Sequence, residues 1–102
     1  MIALLQAKRE ALARSCAAYG VTRLEVFGSA ADGSFAPERS DVDFLVEFRP
    51  LPDIDAFHQY FDLRQSLERL LGFKVDLVMT GALRNPYFIK SVNRSREVVY
   101  AA

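Results

Sequence analysis

Residues 41–48 read Asp-Val-Asp-Phe-Leu-Val-Glu-Phe, and no other stretch limits the fold as tightly. Val42, Phe44, Val46 and Phe48 alternate with Asp41, Asp43, Leu45 and Glu47, the period-two pattern of a strand with one face on a core. Two carboxylates spaced by two leave on the same face. Their charges repel at neutral pH, so they need a proton or a cation. Hard oxygen ligands with open positions suit magnesium, which shares carboxylates with substrate phosphates.

A second signal lies upstream. Residues 23–27 read as a strand, with Leu24 and Val26 on one face, and Gly28-Ser29 follows directly. Gly28 has no Cβ, so a phosphate can approach its backbone. Ser29 is a good N-cap for a short helix over Ala30 to Gly33, whose first amides and the Ser29 hydroxyl offer anion contacts. The plainer alternative is a capping box between Ser29 and Asp32. A Gly-Ser step alone is a weak signal. Its place at a strand end before an acid pair points to a metal-bound nucleotide.

Asp76 is the third acid. It sits in a predicted strand over residues 73–79, on the face opposite Phe73, Val75, Leu77 and Met79. Buried there, it needs a partner or a metal. If that strand neighbours the one carrying Asp41 and Asp43, three carboxylates converge on a two-metal site, with Asp76 as general base. Each acid also has a structural alternative. Asp41 can cap a strand entry, and Asp76 can pair with Lys74 or an arginine.

The remaining pattern supplies scaffolding. A helix is predicted over residues 2 to 19, with Ile2, Leu5, Leu12, Cys16 and Tyr19 on one stripe and Gly20 as its stop. Another is capped by Asp53 or Asp55 and runs to Leu71, with Phe57, Tyr60, Phe61, Leu63, Leu67, Leu70 and Leu71 inward. Asn85-Pro86 opens a third, which turns Phe88, Ile89 and Val92 inward and ends near Arg94. Val98 to Tyr100 makes a short last strand. The alternation of helices and strands predicts an α/β (α+β) fold built on one small sheet.

The 102 residues fit one domain over residues 1–102, and 51% hydrophobic content is enough for a core. Acids and bases balance at 13 each, which gives no field for direct nucleic-acid binding. The lone cysteine, Cys16, excludes an internal disulfide and fits a reducing cytoplasmic setting. No apolar run is long enough to cross a membrane, and charges at Lys8, Arg9, Glu10 and Arg14 argue against a signal peptide. Cys16 reads as a buried hydrophobe and His58 as a solvated helix residue. Arg84, Lys90, Arg94 and Arg96 form a basic cluster, read as a solvated face ahead of a phosphate or partner contact.

Phe27 to Gly33 and Ser40 to Val46 together resemble the G-S-x-A-x-G…S-D-x-D signature of the minimal nucleotidyltransferases, in the DNA polymerase beta superfamily. Gly72 to Val78 looks like the strand bearing that group's third carboxylate. Asn85-Pro86-Tyr87 and Val99-Tyr100 resemble its C-terminal segment. The resemblance implies a small mixed β-sheet with helices packed on it. It implies that Gly28 and Ser29 hold nucleotide phosphates, and that Asp41, Asp43 and Asp76 bind magnesium and serve catalysis. It further implies ATP as nucleotide, and a HEPN-domain toxin as partner, silenced by AMP transfer to a tyrosine. The family often carries Arg where this chain has Asp32, a position where an acid repels an incoming triphosphate. Two alternatives stand beside the enzyme: an antitoxin acting by contact alone, and a small-molecule nucleotidyltransferase, which the short chain disfavours.

Overall fold

The computed structural model describes residues 1–102. In chain order the elements are α1 (Ala3–Ala7), α2 (Arg9–Ala18), β1 (Val21–Phe27), α3 (Ser29–Asp32), β2 (Val42–Phe48), α4 (Ala56–Leu71), β3 (Val75–Met79), a 3-10 turn (Thr80–Ala82), α5 (Pro86–Ser95) and β4 (Glu97–Ala101). The four strands lie in the order β3-β2-β1-β4, a small mixed sheet. β1 is antiparallel to both β2 and β4, whereas β2 and β3 are parallel.

That one parallel pair follows from connection length. A tight turn joins only antiparallel strands, while the helix α4 is long enough to carry the chain back to the end from which β2 started. Asp55 begins α4 by accepting the His58 amide at 2.8 Å, and Gly72 ends it in the left-handed region. The C-terminal end of β1 and the N-terminal ends of β2 and β3 therefore share one end of the sheet. The Val42 amide donates to the Lys74 carbonyl at 2.9 Å and aligns those two strand starts.

One sheet face carries the main core. Leu24, Val26, Phe44, Val46, Val75 and Leu77 meet Leu5, Leu12, Cys16, Leu63 and Leu67 from the helices. Each fully buried aliphatic or aromatic side chain contributes about 1.5–3 kcal/mol. The opposite face holds α5, whose Val92 packs on Phe27 and Leu45, with Leu83 of the preceding loop beside them. The rest of that face is free for polar chemistry.

Several expectations change. The N-terminal helix is two helices, broken at Lys8, where the backbone leaves helical geometry (φ −99°, ψ 9°). The Ile2 amide is pinned to the Ala30 carbonyl at 2.9 Å, and the bend lets both Leu5 and Leu12 reach full burial. Phe57 and Phe61 are exposed, because α4 is covered on one side only and its core contacts run through Leu63, Leu67 and Leu71. In α5 only Val92 is buried, with Phe88 resting edge-on against Phe27 at 5.9 Å. Gly28, not Ser29, is the N-cap of α3.

Candidate active site

The pairing register settles the acids. Phe27 on β1 stands opposite Asp43 on β2, and Asp43 stands opposite Asp76 on β3. The three form one row across the sheet, on the face opposite the main core. Asp41 enters from the residue before β2, two positions ahead of Asp43 and on its face. Asp43 is half-buried at the centre, with Asp41 and Asp76 exposed on either side. Burial first, and then the charges of Asp76 and Asp41, push the Asp43 carboxyl up to about 6.

Gly28 touches this row directly. It adopts φ +70°, and a Cβ there would lie 2.7 Å from Asp43 Oδ2. The backbone of Gly28 is thus the floor under that carboxylate, and no L side chain fits between them. The sequence alone gave Gly28 a different reason, namely room for phosphate. The Gly28 amide is also engaged, donating to Ser95 Oγ at 2.9 Å.

The three carboxylates do not stand close enough together to hold a metal ion as a group. They nonetheless fit a divalent cation by their chemistry. They are hard oxygen donors on one face, and the central one carries an uncompensated like-charge and burial penalty.

Residues 8–99 match the family described as Nucleotidyltransferase domain. The chain belongs to that family and is an enzyme of that class. It is 46% identical, over 74 residues covering 72% of this chain and 71% of the relative, to a candidate protein adenylyltransferase of Methanocaldococcus jannaschii. It is 45% identical over 82 residues, 80% of this chain and 76% of the relative, to the protein adenylyltransferase MntA of Thermococcus cleftensis. A solved structure described as a candidate minimal nucleotidyltransferase superposes with a TM-score of 0.72 at 39% identity, covering 91% of this chain and 90% of the other. A chain of the tri-AMPylated Shewanella oneidensis HEPN toxin in complex with MNT antitoxin gives a TM-score of 0.64 at 17% identity, covering 96% and 73%, a likeness of fold.

Around the acids, this nucleotidyltransferase departs from the sequence expectations in three places. Asp76 is on an edge strand and exposed, so burial does not force a partner on it. Its standing rests on register with Asp43 instead. Asp32 makes no capping box with Ser29, whose side chain caps nothing. The Asp32 carboxylate instead accepts the Ser34 amide at 2.9 Å and the Ser34 hydroxyl at 2.6 Å, which lowers its pKa and keeps it ionised. The basic cluster does not act as a unit. Arg96 forks onto Glu25, with Nε to Oε2 at 2.6 Å and Nη2 to Oε1 at 2.9 Å, while Arg84 donates to the Gly81 and Leu83 carbonyls. Lys90 and Arg94 are exposed, as a solvated face requires.

Glu25 and Ser95 were missed in sequence. Glu25 lies inside a strand between two core residues, the same signal that marked Asp43. It is 3% exposed, and Arg96 first, with Arg23 behind it, lowers its carboxyl to about 2. No sequence pattern marks Ser95. The nucleotidyltransferase buries Cys16, whose thiol burial pushes up to about 12, and leaves His58 exposed against Asp55. A cleft of about 420 Å³ beside Phe48, Leu51, Ile54 and Met79 opens at the opposite end of β2 and β3 from the acids. No helix is long and apolar enough to cross a membrane.

Proposed function

We propose that this chain transfers AMP from ATP to a hydroxyl, a tyrosine, of a HEPN-type toxin and thereby acts as its antitoxin. The observation that carries this reading is the row in which Asp43 pairs in register with Asp76, with Asp41 two residues away and Gly28 beneath. The names of the adenylyltransferase relatives support the reaction, and the toxin–antitoxin complex of the same fold supports the partner.

Asp41, Asp43 and Asp76 would hold magnesium, which when bound neutralises their charge and that of the nucleotide phosphates. The acceptor oxygen forms a bond to the α-phosphorus of ATP. The bond from that phosphorus to the β-bridging oxygen breaks, and pyrophosphate leaves. Asp76, exposed at the sheet edge where an acceptor can arrive, takes the hydroxyl proton. Ser29, at the start of α3, contributes its hydroxyl to the phosphates. Since the Gly28 amide is occupied by Ser95, Gly28 serves the site by its small size, which leaves room for the Asp43 carboxylate.

The test is to incubate the chain with magnesium, ATP and the HEPN-type protein encoded beside it, and to weigh that protein. A gain of one or more AMP masses is expected, and it should vanish with Asp41→Ala or Asp43→Ala. No gain with any nucleoside triphosphate would falsify the reading. The contact-only antitoxin remains the outcome if Asp43→Ala still silences the toxin.

A further inference from the structure

We propose that Ser95 is a positioning residue for AMP transfer: its hydroxyl fixes the Gly28 turn that confines Asp43. The inference rests on the reading just given.

Three observations meet at one point. Gly28 N–H donates to Ser95 Oγ at 2.9 Å, across 67 residues of chain. The same glycine, at φ +70° and ψ −147°, lies so close to Asp43 Oδ2 that even a methyl group would collide with it. Ser95 is the last residue of α5, and the next residue, Arg96, is clamped on buried Glu25 by two hydrogen bonds. The clamp holds the end of the helix still, and the hydroxyl passes that fixed position to the Gly28 peptide. Rotation of that peptide would shift the floor under the Asp43 carboxylate.

A purely structural role, docking α5, is the competing account. That role is already filled by the Arg96–Glu25 fork and by Val92 against Phe27 and Leu45. The Ser95 hydroxyl makes its side-chain hydrogen bond to one group, the amide adjoining the acid row. Without its acceptor, that part-buried amide is left unpaired and the turn is free to seek another partner. Small displacements of a reacting group carry large kinetic penalties.

Steady-state AMP transfer separates the two accounts. Ser95→Ala is expected to lower kcat about tenfold or more while KM for ATP stays within about twofold. Ser95→Thr, which keeps the acceptor, is expected to restore kcat. A docking role predicts instead a lower Tm with kcat unchanged. Manganese binding followed by electron paramagnetic resonance gives a readout free of turnover, with Asp43→Ala as its zero. Ser95→Ala is expected to weaken it about threefold or more. If Ser95→Ala does not fold, Ser95→Cys replaces the hydroxyl with a weak acceptor of similar size and is read the same way. Wild-type kcat in the folded variant overturns the proposal, as does Ser95→Thr failing like Ser95→Ala. If the wild-type chain transfers AMP to nothing, the proposed function fails on its own, and unchanged manganese affinity in the variant then overturns the role of Ser95.

Discussion

Glu25 and Asp43 lie on the same face of adjacent antiparallel strands and titrate in opposite directions. Glu25 is almost wholly buried, yet its carboxyl is lowered to about 2, because Arg96 forks onto it and Arg23 donates at 2.5 Å. Asp43 is only half-buried, yet its carboxyl rises to about 6, because no cation offsets the cost of its burial and the charges of Asp76 and Asp41 add to that cost. Depth alone would order them the other way. The chain neutralises one acid with its own arginines and leaves the other without a cation of its own. An acid held at that kind of disadvantage is a functional candidate on physical grounds, while a paired one is structural.

Removing the internal cation tests the first half of that contrast most severely. Arg96→Ala strands a buried carboxylate and is expected to lower unfolding free energy by about 2–3 kcal/mol in urea titrations, the surviving Arg23 contact limiting the loss. A change below about 0.5 kcal/mol would make the pair incidental. Gly28→Ala strikes the second half. It places a Cβ against Asp43 Oδ2 and forces φ +70° with ψ −147° on an L residue, for a loss of about 1–3 kcal/mol and of AMP transfer together.

Asp43→Asn removes the charge but keeps the shape. The magnesium-free chain is expected to gain about 1 kcal/mol, after allowance for solvent screening at a half-exposed site, while transfer is lost. Stability and activity would then move in opposite directions at one residue.

The smallest effect is a difference in pH dependence. Glu25 is depressed on folding, so its contribution is complete above the ordinary glutamate range near 4.5 and disappears as pH falls toward 2. The gap between wild type and Arg96→Ala should close over that interval. Asp43 is raised on folding, so its penalty is complete above about 6 and relieved as pH falls toward 3.8. The gap between wild type and Asp43→Asn should close there, in metal-free chemical denaturation at successive pH values. Gaps that close over one common interval would sink the comparison.

Much of this was legible along the chain. Strand alternation placed Asp43 inside β2, a cap at Asp53 or Asp55 and the glycine at 72 bounded α4, with the structure choosing Asp55, and Asn85-Pro86 opened α5. Local chemistry decides these features, so local sequence reveals them. Exposure did not follow as well. Phe57 and Phe61 share the helical spacing of core residues, but a helix cannot report how much of its circumference a sheet will cover. The break at Lys8 and the exposure of Asp76 on an edge strand escaped for the same reason.

The sequence by itself determined which residues are candidates for chemistry, because an acid pair on a strand and a glycine at a strand end are constraints within a few residues. Only the tertiary structure decided where each one stands and what it touches. The helical crossover of α4 set the parallel register that brings Asp76 beside Asp43. The return of α5 brought Arg96 to Glu25 and Ser95 to Gly28, across 71 and 67 residues. Long-range pairing depends on how whole elements pack, and no stretch of the chain contains it alone.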